Sequence, residues 1–350
     1  MIRSERTLLG MAALLYFSFL VYLTVGLRFN MLTSDVLGYW HDSLNWRAPF
    51  STWWVPGYPL LIAAVRGITF NLVPPLGIMV GISAVAYLAA VSAVYRLALH
   101  NQFPYPFFLA LVFALFPLEG LAGAVYPRAD ITAIALLLLA VLNLEKRRWT
   151  RFVIFCGAAM IVQKVMWFFV PPLLCVAFVR SKESRLLLPC AFLPLAVWWV
   201  CGAIYHHDIL WCMRWSCSHL LVSKSALPIM DGLITPLLSN SLAKTWKGIA
   251  IAAVTLLIII SAYYNFRHRH WVGVCIALSL FGMVALVNSY EIWVVVRYSP
   301  VLVIPLSFVE IRFVKPSSQR YIRLVAWVML VAFLASNLAF GFYQARLGVA

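Results

Sequence analysis

The sequence predicts an all-α polytopic membrane protein with about eleven transmembrane helices (nine to twelve), folded as a single integral membrane domain over residues 1–350. Two features of its composition predict this class. Apolar residues make up 64% of the chain and charged residues only 11%, whereas soluble domains are about half apolar and about a quarter charged. Helices are expected because backbone polar groups in lipid must be paired within the spanning segment. The apolar content suffices for at most ~11 spans of ~20 residues.

The charge balance is strongly basic, with 27 Lys and Arg against 11 Asp and Glu and a formal net charge of +16. In a soluble protein this excess would indicate nucleic-acid binding. In a membrane protein, basic residues collect in the cytoplasmic loops and face anionic lipid headgroups. We therefore expect membrane lipid and no nucleic acid among the partners.

The apolar runs predict the spans in chain order. The first, 8–27, follows the basic segment MIRSER and has no small-residue cleavage site after it, so it is predicted as a span with the N-terminus inside. The remaining ten predicted spans are 73–98, 104–125, 130–144, 152–163, 165–179, 186–205, 247–264, 271–288, 298–311 and 324–342. Two of these, 152–163 and 165–179, are short for a hydrocarbon layer ~30 Å thick, which favours a hairpin or a tilted pair.

This topology sorts the charges between the two faces. It places 16 of the 27 basic residues in inside loops, as the positive-inside rule favours. Every aspartate falls outside: Asp35, Asp42, Asp130, Asp208 and Asp231. Chemistry that needs these carboxylates is therefore expected on the periplasmic or lumenal face.

Two outside segments are long and polar. The first, 28–72, is predicted as a periplasmic or lumenal loop with interfacial helices, because the apolar stretch 56–70 is short and carries Arg66. The second outside loop, 206–246, contains Cys212 and Cys217, and a disulfide between them is open if the loop faces an oxidising compartment.

The first outside loop carries acids among many aromatic residues. Aromatic belts at the membrane interface explain most of the aromatics but not the acids. Asp35 and Asp42 are seven residues apart, so in a helix they share one face, with Tyr39 between them and His41 nearby. A carboxylate beside apolar surface acts well as a general base. Asp35 is therefore a candidate functional residue, the alternative being an ordinary interfacial loop.

Polar residues also interrupt two later apolar regions. Arg128 and Asp130 stand at the start of a predicted span, where Asp130 acts either as a substrate-site acid or as a helix cap paired with Arg128. Gln163 and Lys164 interrupt the predicted hairpin. A lysine within a membrane segment indicates function by default, the alternative being that it snorkels to the surface.

A late outside boundary carries Arg297 and Tyr298, where the arginine either binds phosphate or anchors the end of the span. The run His206, His207 and Asp208 suggests zinc, but a wet loop start explains it better because no third or fourth ligand can be named.

Taken in order, these features resemble the GT-C superfamily of polytopic membrane glycosyltransferases. That superfamily includes protein O-mannosyltransferases, the aminoarabinose transferase of lipid A and mannosyltransferases of lipid anchors. The features are an acidic first outside loop, Pro-Gly-Tyr-Pro at 56–59, Pro-x-x-Asp at 127–130, Gln-Lys at 163–164, and Arg-Tyr at 297–298 before a proline-containing span. The resemblance covers about residues 1–180 and 286–306.

The resemblance implies a fold, a donor and roles for named residues. The donor is expected to be a polyprenyl-phosphate sugar, with a hexose such as mannose moved to a lipid, glycan or protein acceptor. Asp35 takes the main acidic position and acts as the base in an inverting displacement. The expected substrate-binding residues are Tyr39, His41, Asp42, Arg128, Asp130, Gln163, Lys164, Arg297 and Tyr298.

Several alternatives stay open at this stage. Arg297, Arg128 or Lys164 is expected to stabilise the leaving phosphate. Mg²⁺ or Mn²⁺ is an open alternative for that role, since oxygen-ligand sites have no readable spacing here. A multi-pass transporter or flippase would use Lys164 and Asp130 as substrate or proton sites, and a non-catalytic scaffold would use none of these residues. The expected location is a bacterial inner membrane, with the active site outside.

Overall fold

The computed structural model describes residues 14, 34–45, 55–103, 105–114, 129–212, 242–286 and 298–308. These residues form helices joined by short turns, and no strand occurs among them. In chain order the helices are α1 (Ser34–Leu44), α2 (Gly57–Ile68), α3 (Pro75–His100), α4 (Pro106–Ala114), α5 (Ala129–Glu145), α6 (Trp149–Val162), α7 (Met166–Arg180), α8 (Leu193–His206), α9 (Leu242–Arg267), α10 (Trp271–Leu286) and α11 (Val303–Ser307). A 3₁₀ helix precedes α8 (Leu188–Phe192), and another precedes α11 (Ser299–Leu302).

Helix α5 lies at the centre of the fold. It packs against α3, α6 and α7. Its side chains are buried around most of its circumference, from Ala129 to Leu144. A helix that is apolar on all sides is stable only when other elements surround it. The first turn of α5 therefore places Asp130 inside the helical bundle.

Helices α6 and α7 are the short pair that the sequence predicts at 152–163 and 165–179. Three residues, 163–165, separate them. Gln163 has an extended backbone, with φ −151° and ψ 127°, and so ends α6. The break falls where the polar pair Gln163 and Lys164 interrupts the apolar sequence.

Within the described ranges, two helical segments are long and apolar enough to cross a membrane: Pro75–His100, and Leu188–His206, in which the 3₁₀ helix runs into α8. Along α8 an exposed apolar stripe is formed by Leu193, Val197, Val200 and Ile204. Exposed apolar surface of this extent is typical of a face that contacts lipid or another apolar partner.

The predicted span 298–311 is only partly described. Its described part, 298–308, forms a 3₁₀ helix that runs directly into the five-residue α11. Pro300 and Pro305 explain the irregular helix type, because proline has no N–H donor for a regular α-helical hydrogen bond.

Other predicted features lie wholly or partly outside the described residues. Of the first span only Leu14 is described, and it is helical. The later part of the span 104–125, most of the loop 206–246 and the whole of the last span also lie outside. Cys217 is among these residues, whereas Cys212 is buried beside Trp198 and Trp211.

Candidate functional site

Asp130 joins three separate parts of the chain. Its carboxyl oxygen Oδ1 accepts a hydrogen bond from the amide Nε2 of Gln163 at 3.0 Å and another from the hydroxyl of Tyr298 at 2.5 Å. Asp130 is 7% exposed and stands in the first turn of α5, where the helix dipole favours a negative charge. The residue thus links α5, the turn between α6 and α7, and the segment before α11.

Gln163 is held from both ends of its amide group. Its Nε2 donates to Asp130, and its Oε1 accepts from the backbone N–H of Lys164 at 3.0 Å. The extended backbone at Gln163 turns this side chain away from the hydrogen-bonded turns of α6 and towards the start of α5. An amide bonded at both ends has one orientation, so it fixes where the turn sits relative to Asp130.

Lys164 is buried, with 5% of its surface exposed. The alternative that this lysine snorkels to the surface is therefore wrong. Burial of an ammonium group is costly unless other groups compensate it, and such groups inside a membrane protein commonly serve substrates or ions.

Tyr58, in the segment predicted as the first outside loop, lies near the same place. Gly57, the first residue of α2, lies so close to α6 that a Cβ there would be 2.6 Å from the carbonyl oxygen of Ile161. Burial raises the pKa of the Tyr58 phenol, the nearby Ser83 hydroxyl offsets part of that rise, and the negative charge of Asp130 adds to it. The phenol of Tyr58 is therefore within electrostatic reach of Asp130.

The ring of Tyr58 contacts Tyr39 on α1. The two rings meet edge to face, with centroids 5.0 Å apart, and both side chains are buried. Such aromatic pairs contribute ~0.5–1.5 kcal/mol beyond the area that they bury. The contact ties α1 to α2 and, through Tyr58, to the surroundings of Asp130.

Helix α1 confirms that the acidic segment is helical. Asp35 stands one turn before Tyr39 and two turns before Asp42, and the side chain of Asp35 is outside the described part of the structure. Asp42 is 3% exposed. His41 faces solvent, with its Nδ1 3.6 Å from Asp42 Oδ1.

Two predicted site residues, Arg128 and Arg297, lie outside the described residues. Asp130, Gln163 and Tyr298 are called the Asp130 cluster. Arg128 lies two positions before Asp130, and Arg297 directly precedes Tyr298. Of the ten predicted site residues, the structure therefore brings Asp130, Gln163 and Tyr298 into direct hydrogen-bonding contact.

Sequence reasoning missed three buried hydroxyl groups. The side-chain oxygens of Tyr58, Ser83 and Thr132 are inaccessible and, within the described residues, have no partner in hydrogen-bonding geometry. Buried polar groups in proteins are nearly always bonded to protein, water or ligand. The Pro-Gly-Tyr-Pro element contained Tyr58, but a lone serine and threonine within apolar runs give no signal of their own.

The run His206, His207 and Asp208 has local contacts at the end of α8. The ring of His206 stacks on Trp211 with centroids 5.2 Å apart, and Asp208 Oδ1 accepts from the backbone N–H of Leu210 at 2.9 Å. Over the described ranges, no group of three or more His, Cys, Asp or Glu residues is arranged to hold a metal ion.

Comparison with known proteins gives no match, whether to a family model, to a curated protein or to a solved structure.

Proposed function

We propose that this chain is a multi-pass glycosyltransferase of the bacterial inner membrane that acts on the outer face. It moves a hexose such as mannose from a polyprenyl-phosphate donor to a lipid, glycan or protein acceptor. The observation that carries the proposal is the Asp130 cluster, in which polar side chains far apart in sequence meet inside an apolar bundle. Buried polar groups brought together in this way are typical of functional sites in membrane proteins.

The acidic helix α1 supplies the second part of the proposed site. Tyr39 on this helix contacts Tyr58, whose phenol is near Asp130. A site between α1 and the Asp130 cluster would offer carboxyl, hydroxyl and amide groups beside aromatic rings. Those groups suit a sugar, which presents many hydroxyls on one side and apolar C–H surface on another.

In the proposed reaction Asp35 is the general base. It takes the proton of the acceptor hydroxyl as that oxygen bonds to the anomeric carbon of the sugar. The bond from this carbon to the phosphate oxygen breaks, and the departing polyprenyl phosphate keeps the electron pair. Displacement in one step inverts the anomeric configuration. The leaving phosphate gains negative charge, which a nearby cation such as Lys164 stabilises in a poorly solvated site.

The test is sugar transfer by membranes that contain the wild-type chain or the Asp35→Asn variant. Each is supplied with a panel of radiolabelled polyprenyl-phosphate sugars. We expect one donor to give a product with wild type and at least a hundredfold less with Asp35→Asn, at equal expression and membrane insertion. Asp208→Asn, which also lies in an outside segment, is the matched control and should retain transfer. Undiminished transfer by Asp35→Asn removes Asp35 from the proposed mechanism.

The burial of Lys164 and Asp130 also favours a second function, transport or flipping of a polar or lipid-linked substrate. A transporter would use the same groups to bind substrate or to carry protons. Flux of labelled substrate across proteoliposomes, with no new glycosidic product, would favour this function over sugar transfer.

A further inference from the structure

A basic turn joins the central helix α5 to α6 at the end of α5 opposite Asp130. It consists of Lys146, Arg147 and Arg148, and Arg147 adopts a left-handed conformation with φ 53°. Backbone hydrogen bonds close the turn, since the N–H of Arg148 donates to the carbonyl of Asn143 at 2.9 Å. The three basic residues therefore stand on a fixed backbone rather than on a long loop.

Arg96 adds a charge from a neighbouring helix. It is an exposed residue in the last two turns of α3, which packs against α5. Burial lowers the pKa of Lys146, and the charges of Arg148 and Arg96 lower it further. These three residues, Arg96, Lys146 and Arg148, are called the basic cluster.

The nearest acid along the chain does not neutralise the basic cluster. Glu145 precedes Lys146, but its Oε1 accepts from Nη1 of Arg180 at 2.6 Å. A carboxylate already paired with one guanidinium compensates the neighbouring cations only weakly. The cluster therefore keeps an excess positive charge that an external anion can neutralise.

The start of α6 adds to this positive field. In the described part of the chain no side chain caps the helix, its cap residue is Arg148, and its first turn contains no acid. The first backbone N–H groups of a helix have no partner within the helix, and the dipole makes this end positive. Trp149, partly buried against the core, stands beside the cluster, as aromatic residues do at headgroup level.

An exposed apolar residue lies next to this positive end. Ile154, in the second turn of α6, is 60% exposed. A ligand with a phosphate at the basic cluster and a hydrocarbon chain along α6 would cover both. A free phosphate ion would cover only the charges. The surface therefore matches an amphiphile better than it matches a small anion.

We propose that the basic cluster binds the phosphate of an anionic phospholipid headgroup at the inner edge of the membrane, with the acyl chains along α6 beside Ile154. This site lies at the opposite end of α5 from the Asp130 cluster and does not depend on the proposed sugar transfer. A bound lipid would link α3 to the turn between α5 and α6.

The test measures binding of a short-chain anionic lipid, dioctanoyl phosphatidylglycerol, to the purified full-length chain in detergent by native mass spectrometry. The variant carries Arg96→Gln, Lys146→Gln and Arg148→Gln. Each basic residue near an anionic surface changes affinity about fivefold, so we expect the triple variant to bind about a hundredfold more weakly. Dioctanoyl phosphatidylcholine should bind the wild type far less well than phosphatidylglycerol does.

The matched control removes the same charge at other exposed inside positions, with Lys182→Gln, Arg267→Gln and Arg269→Gln. It should bind phosphatidylglycerol as the wild type does. Equal loss in the control, or equal binding of phosphatidylcholine, overturns the proposal because only overall charge or the acyl chains would then matter. Displacement of the lipid by inorganic phosphate at the same concentration also overturns it. If the triple variant does not fold, the single variant Lys146→Gln is measured instead. We expect it to bind phosphatidylglycerol about fivefold more weakly, and an unchanged affinity would refute the proposal.

Discussion

The hydrogen bond between Asp130 and Tyr298 should couple the start of α5 to the segment before α11. Replacing Tyr298 by Phe removes the donor, and replacing Asp130 by Ala removes the acceptor. In the Asp130→Ala variant the hydroxyl of Tyr298 and the amide of Gln163 both lose a buried acceptor. We therefore expect the Ala variant to be the more destabilised of the two.

The distances and burial set the expected size of these effects. A hydrogen bond to a charged group contributes ~1.5–3 kcal/mol, and a stranded buried donor costs ~1–3 kcal/mol. Asp130→Ala should therefore cost ~2–6 kcal/mol and Tyr298→Phe ~1.5–3 kcal/mol. Coupling energies between membrane helices average ~0.6 kcal/mol and reach ~1.7 kcal/mol. Because this bond is buried and its acceptor is a carboxyl group, its coupling should lie near the top of that range, at about 1.5 kcal/mol.

The assay is a double-mutant cycle, measured by reversible unfolding of the four proteins in mixed detergent and dodecyl sulfate micelles. The control cycle combines Asp130→Ala with Asn101→Ala, because the Asn101 amide binds Ser307 rather than the Asp130 cluster. Those two changes should be additive within about 0.5 kcal/mol. A coupling below about 0.5 kcal/mol between Asp130 and Tyr298 would refute the reasoning.

Three further variants test other parts of the structure. Gly57→Ala should lower the free energy of unfolding by ~1–3 kcal/mol, because its Cβ would meet the Ile161 carbonyl oxygen. Gly67→Ala is the control: its Cβ would meet no described atom within 4 Å, so it should be neutral or stabilising in the same unfolding assay. Tyr58→Phe should change the unfolding free energy by less than ~1 kcal/mol, since the Tyr58 hydroxyl has no hydrogen-bond partner among the described residues. The same variant should reduce sugar transfer. A large loss of stability would contradict this prediction. The pKa of Lys146 is lowered in the folded chain, so the protonated side chain destabilises the fold at pH 7. Lys146→Met should therefore raise the melting temperature at pH 7. This gain should vanish towards pH 10.5, where Lys146 also loses its proton in the unfolded chain.

The helices that the sequence predicted best are those with clear apolar runs and clear ends. The predicted span 73–98 corresponds to the helix Pro75–His100, which begins at the second of two consecutive prolines. The break between α6 and α7 was also predicted, because Gln163 and Lys164 interrupt an apolar stretch. The predicted span 298–311 is helical over most of its described part, but hydropathy alone did not indicate that this part begins as a 3₁₀ helix, an effect of Pro300 and Pro305.

The candidate site was predictable residue by residue but not contact by contact. Asp130, Gln163 and Tyr298 each stood out because a polar group interrupts or begins an apolar run. Nothing in the sequence showed that these three side chains meet, since such contacts depend on how distant helices pack. Tyr58 and Ser83 were missed for the same reason, as a single hydroxyl in an apolar helix is ordinary until its neighbours are known.

The position of Asp130 explains why one carboxyl group can organise so much of this end of the fold. Helix α5 is enclosed by its neighbours, so a polar group at its first turn has few routes to water. Burying it is favourable only if other groups satisfy it, and those groups come from the turn at Gln163 and from Tyr298, where the chain passes into a 3₁₀ helix. Apolar packing alone specifies such irregular backbone poorly, because many arrangements bury similar area. The hydrogen bonds to Asp130 select one arrangement, and they place Gln163 and Tyr298 beside the aromatic pair that leads to α1.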